Sequence, residues 1–237
     1  MMKAAIGDAI LTSIWVFSAS TLRILTSEVA SFLNLQPSSL PGLFITTLIA
    51  TLLVFTISFI GRLLGGASFN PSTTVSFYTL GLRPDSSLTS MALRFPAQAA
   101  GGVAGAQAIL HVIPTHYKHM MKGPSLKVDL HSGAIAEGAL TFSLNLSILF
   151  IMLKGPKNPL LKVYMIAVTT VALVIPGSLY TGPAMNPANA YGWAYVNNRH
   201  NTWEHFYVYW ICPFIGAILA ASLYRFLFIS PLKQKKA

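Results

Sequence analysis

The sequence is poor in charge, and poorest in negative charge. Asp and Glu together number 6 among 237 residues, and all charged residues make up 9%. A soluble domain of this length needs far more polar surface, so a soluble fold is excluded. Cysteine is nearly absent: Cys212 alone permits no intrachain disulfide and leaves the redox compartment unread. The six histidines show no ligand spacing, with His111, His116 and His119 at a span end and loop, and His200 and His205 flanking Trp203. No metal site is expected and no cofactor is implied. No nucleophile, base and orienting group stand together, which speaks against an enzyme.

What the chain has in abundance is apolar sequence, 54% of its residues. Four uncharged runs, Leu43 to Ile60, Phe95 to Ile113, Val163 to Leu179 and Phe206 to Tyr224, match the roughly 17–25 residues of a membrane-crossing helix. Two more each carry one acid: Ala4 to Leu25, with Asp8 and a terminal Arg23, and Gly133 to Leu153, with Glu137. The expectation is an all-α membrane protein with six spans. A secretory signal is the competing reading of the first run, since Lys3 precedes it and Ser18-Ala19-Ser20 resembles a cleavage site. Asp8, the length of the run and its repetition later in the chain favour a span.

Six spans put both termini on one side, and the Lys/Arg bias names it. The termini and the segments on their side hold Lys3, Arg62, Arg83, Arg94, Lys154, Lys157, Lys162, Arg225, Lys233, Lys235 and Lys236, eleven of the 16 basic residues. Arg23, Lys118, Lys122, Lys127 and Arg199 fall opposite. Both termini should face the cytosol. The net charge of +10 then reads as topology and lipid headgroup contact, not as a nucleic-acid footprint.

Two short stretches do not fit the spans. Gly66-Ala67-Ser68-Phe69-Asn70-Pro71-Ser72 and Thr181-Gly182-Pro183-Ala184-Met185-Asn186-Pro187-Ala188-Asn189 each present a capping asparagine followed by proline at the first helical position. Each leads into an apolar pattern too short to cross a bilayer, so each is expected to open a re-entrant half-helix. Such backbone is tolerated at membrane depth where it lines a watery path. If the asparagine oxygen caps its own helix, its NH2 is left pointing outward as two fixed donors. A third copy, Asn158-Pro159, lies among Lys154, Lys157 and Lys162 and is expected to be an ordinary loop.

The order of features repeats. Asp8 with Thr12, a second span, Asn70-Pro71 and a third span over about 1–115 are matched by Glu137 with Thr141, a fifth span, Asn186-Pro187 and a sixth span over about 130–230. Three spans per half set the copies in opposite orientations, which brings the two Asn-Pro starts together at the midplane. The whole chain, 1–237, is then one transmembrane domain with a basic tail, 231–237. The glycines of the third span serve close helix packing. Asp8 and Glu137 could relay protons, but the preferred role is to satisfy backbone N–H groups of the re-entrant loops. The segment Thr115 to His131 reads as an exposed, variable loop, Met120 and Met121 as interfacial, and Trp203, Tyr207 and Tyr209 as an aromatic belt.

These residues resemble the aquaporins, or major intrinsic proteins, whose mark is a pair of Asn-Pro-Ala motifs in inverted repeats. Tyr209-Trp210 and Pro213-Phe214-Ile215-Gly216-Ala217 resemble the family's sixth span. Ser72 in place of the first motif's alanine, Asn189 where most members have arginine, and the Lys-rich tail make the chain most similar to the plant small basic intrinsic proteins. The resemblance implies a homotetramer with one pore per subunit, midplane residues Asn70, Pro71, Ser72, Asn186, Pro187 and Ala188, and residence in the endoplasmic reticulum membrane. Lys233 and Lys235 resemble a retrieval signal, with a positive-inside anchor as the other reading. It also places an outer constriction at Val174, Pro183, Asn189 and a second-span position at Ala50 or Thr51. With Asn189 neutral, cation exclusion should fall to the midplane helix dipoles alone. The functional expectation is a passive channel for water, with small neutral solutes left open as further permeants. A proton-coupled transporter using Asp8 or Glu137 and a non-conducting membrane scaffold are the alternatives.

Overall fold

The computed structural model describes residues 1–81 and 87–229, and all regular structure among them is helical. Arg83 and the Lys233 and Lys235 motif lie outside the described residues. Six long helices carry the chain back and forth: α1 Met2–Phe32, α2 Leu40–Leu63, α4 Leu88–Val112, α5 Leu130–Lys154, α6 Pro159–Gly177 and α8 Trp203–Phe228. Between them sit two short ones, α3 Pro71–Thr79 and α7 Pro187–Val196, of 9 and 10 residues. At 1.5 Å per residue these reach about 15 Å, half of a hydrocarbon core about 30 Å thick.

Local chemistry sets where the helices begin. Ser39, Ser87, Asp129 and Thr202 each accept a first-turn backbone N–H at the start of α2, α4, α5 and α8. Asn158 is not a plain loop residue, contrary to expectation: its side chain accepts from the N–H groups of Leu160 and Leu161 and opens the full-length α6. The same dipeptide therefore caps a spanning helix at the exposed surface and two half-helices in the interior. Within α8 one π turn covers Tyr207–Ile211. Pro213 follows and has no N–H to return to the Tyr209 carbonyl, so the helix widens before it.

Five long helices are apolar enough to cross a membrane by mean hydropathy; α4 is as long but more polar. The difference reflects what α4 packs against. Arg94 and Gln98 on it are buried, and Gly101, Gly102 and Gly105 lie against the backbones of α1 and α7. Gly102 and Gly192 face each other so closely that a Cβ on either would strike the other helix's carbonyl. α1 packs chiefly on α4, and α5 on α8. Each half-helix rests against the last span of the opposite half, α7 on α4 and α3 on α8.

Burial corrects several expectations. One expectation it leaves in place: α1 runs unbroken past Ser20 with Asp8, Leu11, Thr12 and Val16 in the core, which fits the span read from the sequence. Arg94 is 2% exposed and ion-paired, so it leaves the tally of headgroup charges. Met121 is buried with Val16, Ile24 and Trp193 instead of lying at the interface. Tyr209 is buried too, its hydroxyl donating to the Thr181 carbonyl at 3.0 Å, which leaves exposed Trp203 stacked on half-buried Tyr207. The loop from Thr115 is ordered by a 3₁₀ turn over Thr115–Met120 and by backbone bonds from Ser125 and Lys127 to Thr181 and Tyr180.

Candidate functional site

The two Asn-Pro starts meet in the interior. Asn70 Oδ1 accepts from the N–H of Ser72 at 2.9 Å, and Asn186 Oδ1 accepts from Ala188 and Asn189 at 3.1 and 3.3 Å. Contrary to the expectation of two free donors on each amide, neither nitrogen projects freely. Asn70 Nδ2 donates to the Met185 carbonyl at 2.9 Å, and Asn186 Nδ2 to the Phe69 carbonyl at 3.0 Å. Each asparagine thus grips the residue just before the other, and one hydrogen of each amide has no acceptor among the described residues. The clasp locks both half-helix N-termini toward one point, where their partial positive charges add.

Both loops are braced by a spanning-helix acid. Asp8 on α1 accepts from the Ser68 N–H at 2.8 Å, from Arg94 Nε at 2.6 Å and from Gln98 Nε2 at 2.7 Å. Gln98 also reaches the Ser68 carbonyl at 3.2 Å. Glu137 on α5 accepts from the Thr181 hydroxyl at 2.7 Å and from the N–H groups of Ala184 and Met185. Met185 holds a left-handed backbone at φ 47°. That costs a non-glycine residue about 1–3 kcal/mol, offset here because its N–H and carbonyl are both engaged, by Glu137 and Asn70.

Two cavities adjoin this centre. One of about 330 Å³, toward the end where α1 begins, is lined by Asn70, Asn186, Ala184 and Met185, with Trp15, Phe69 and the α2 residues Val54, Ile57 and Ser58. Of the six midplane residues expected, only the two asparagines line it. Pro71, Ser72, Pro187 and Ala188 are buried behind them as first-turn residues facing the packed helices. The other cavity, of about 660 Å³ toward the end where α1 finishes, brings together Val174, Pro183 and Asn189. Ala50 and Thr51 line neither cavity. Ala50 is buried, the Thr51 hydroxyl bonds back to Thr47, and α1 contributes Ala19, Ser20 and Arg23 to the outer wall. Nor is the outer mouth without full charge, since Arg23, Lys122 and Lys127 line it. These come from α1 and the loop between halves, which is why counting from the second motif misses them. No cluster of His, Cys, Asp or Glu able to hold a metal occurs among the described residues.

The sequence model of the family described as Major intrinsic protein matches residues 1–224. The chain belongs to the major intrinsic protein, or aquaporin, family. It is 52% identical to Aquaporin SIP1-1 of Oryza sativa subsp. japonica over all of this chain and 97% of that one. It is 53% identical to Aquaporin SIP1-2 of Zea mays over 100% and 96%, and 46% identical to Aquaporin SIP1-1 of Arabidopsis thaliana over 100% and 97%. These place it with the small basic intrinsic proteins. Among solved structures, the aquaglyceroporin of Plasmodium falciparum superposes with a TM-score of 0.70 over 98% of both chains at 18% identity, a likeness of fold. The chain is an integral membrane channel of the aquaporin fold and not an enzyme.

Sequence reasoning missed Arg94, Gln98, Met185 and the outer cations. For Arg94 there was a signal: a cation inside a Gly-rich apolar helix needs an acid, and Asp8 was the one at hand.

Proposed function

We propose that the protein conducts water passively through the asparagine clasp, between the two cavities. The observation that supports this is the reciprocal pair of bonds, Asn70 to Met185 and Asn186 to Phe69, which leaves one fixed donor per asparagine beside the inner cavity. A water oxygen passing there accepts from both, while the two helix N-termini disfavour cations. Asp8 and Glu137 line neither cavity and have their oxygens engaged, which speaks against a proton-coupled carrier. A scaffold would need neither cavity.

The outer constriction of Val174, Pro183 and Asn189 offers few donors, since valine has none and proline lacks a backbone N–H. Water then passes at modest rate per subunit, and small neutral solutes are rejected loosely. A homotetramer fits the apolar exterior of α2, where Leu48, Leu52 and Phe59 are exposed, and cytosolic termini fit the Lys/Arg bias of the sequence. The Lys233 and Lys235 tail motif fits residence in the endoplasmic reticulum.

Stopped-flow swelling of vesicles holding the purified protein tests this directly. Wild type should exceed protein-free vesicles in osmotic permeability, and Asn186→Leu should remove that excess while remaining folded. Unchanged permeability in Asn186→Leu would sink the pore assignment. Asn189→Arg should tighten rejection of glycerol without abolishing water flow.

A further inference from the structure

The outer cavity is one-signed. Arg23 near the end of α1 and Lys122 and Lys127 on the loop between halves all line it, and among the described residues no Asp or Glu does. The loop that carries two of the three is held in place. The Lys127 ammonium donates to the Ser178 carbonyl at 2.6 Å, beside the end of α6 that carries Val174. The loop backbone is registered on the second motif's approach by Ser125 N–H to Thr181 O at 2.9 Å and Lys127 N–H to Tyr180 O at 2.8 Å. Met121, next to Lys122, is anchored in the core against Val16, Ile24 and Trp193. Two elements remote in sequence, α1 and the loop between halves, therefore deliver like charge to one concave mouth, in front of a constriction whose own residues, Val174, Pro183 and Asn189, are neutral.

Like charges in a concavity with low-dielectric walls reinforce one another, and cations approaching such a mouth are depleted while anions are concentrated. We infer that Arg23, Lys122 and Lys127 together form a first cation barrier of this channel, ahead of the constriction and additional to the helix N-termini at the clasp. The barrier is an electrostatic one spread over a vestibule, so it depends on ionic strength: the Debye length is about 10 Å at 0.1 M and about 3 Å at 1 M salt. The inference rests on the channel reading for its transport consequence, but the field itself can be measured without any transport.

Ser20 lines the same cavity. In a Cys212→Ser background, Ser20→Cys provides a single thiol there for two methanethiosulfonate reagents of opposite charge, the sulfonatoethyl and the trimethylammonioethyl compounds. Relative to each reagent's rate with a small free thiol, the anionic one should be favoured, and adding Arg23→Gln, Lys122→Gln and Lys127→Gln should lower this normalised anionic-to-cationic ratio by roughly tenfold or more. Raising salt to 1 M should collapse the ratio in the unneutralised protein, a comparison that stands even if the triple variant fails to fold. A ratio indifferent to both salt and substitution would overturn the inference. In vesicles, sodium entry should rise several-fold in the triple variant relative to wild type. Equal sodium entry, with the thiol result intact, would overturn the barrier role while leaving the field. Wild-type water permeability no greater than that of empty vesicles would instead overturn the channel reading and leave the thiol result standing.

Discussion

The two re-entrant loops do the same mechanical job with different electrostatics. In the first half Asp8 accepts one bond from its loop, at Ser68, and its others from Arg94 and Gln98 on α4. In the second half Glu137 accepts all three of its bonds from its loop, at Thr181, Ala184 and Met185. The first loop is steadied by a charged network spanning two helices, with glycines at positive φ, Gly65 and Gly66, leading into it. The second is held by its own donors and, besides a positive-φ glycine of its own, Gly182, holds a non-glycine left-handed residue, Met185. An inverted repeat therefore preserves the position of the brace and not its chemistry. A buried carboxylate is tolerable either when paired with a cation or when its lone pairs are filled by fixed N–H and O–H groups.

The largest effect should come from breaking the ion pair. Asp8→Ala leaves Arg94, which is 2% exposed, without that carboxylate, at a cost of about 3–5 kcal/mol. Thermal unfolding in detergent should show it, and Asp8→Asn with Arg94→Gln should recover part of the loss relative to Asp8→Asn alone. No recovery would mean that the pair is not what couples the first loop to α4.

Glu137→Gln should cost less, about 1–3 kcal/mol, because the amide oxygen still accepts from the loop N–H groups while its NH2 meets the Thr181 hydroxyl. If it proved the costlier substitution, the contrast drawn between the loops would be reversed. Between the asparagines the halves should behave alike: Asn70→Leu and Asn186→Leu each cut one strand of the clasp, and both should abolish osmotic permeability. A large difference between them would show that one amide alone handles the permeant.

The smallest expected effect concerns how the halves begin. α1 has no side-chain cap, whereas α5 starts on Asp129, whose oxygen accepts from the Ser132 N–H at 3.0 Å. Hydrogen bonds from Ser132, side chain and then backbone, hold the Asp129 carboxyl below its ordinary value of 3.8. A lowered carboxyl stabilises the fold above the ordinary value and loses that contribution as pH falls through the folded one. The slight deficit of Asp129→Ala in thermal unfolding at neutral pH should therefore vanish as pH falls through the folded carboxyl's own value, which lies below 3.8. A deficit that persisted there would mean that the carboxylate's charge is not what caps α5.

Much of this was readable from residues a few positions apart. Spans follow from runs of apolar side chains, which report their own solvent. The half-helices follow from Asn-Pro, because a cap and a fixed φ act on the next turn alone. Even so, Asn158 obeys the same local rule in α6, and only the length of apolar sequence behind it distinguishes a spanning helix from a half-helix. Bracing of the loops by Asp8 and Glu137 was also foreseeable, since a buried acid needs donors and a re-entrant loop has spare ones.

What tertiary structure alone decided are the long-range pairings. Arg94 reaches Asp8 across 86 positions, and the clasp bonds span 115 and 117. Arg23 shares a mouth with Lys122 and Lys127 only because α1 ends beside the loop joining the halves. A linear chain carries each residue's charge and hydrogen-bonding capacity but not the distance to its partner. Coulomb and hydrogen-bond energies are set by that distance, so the same basic residues read as topology signals in the sequence and become a buried pair and a charged vestibule in the fold.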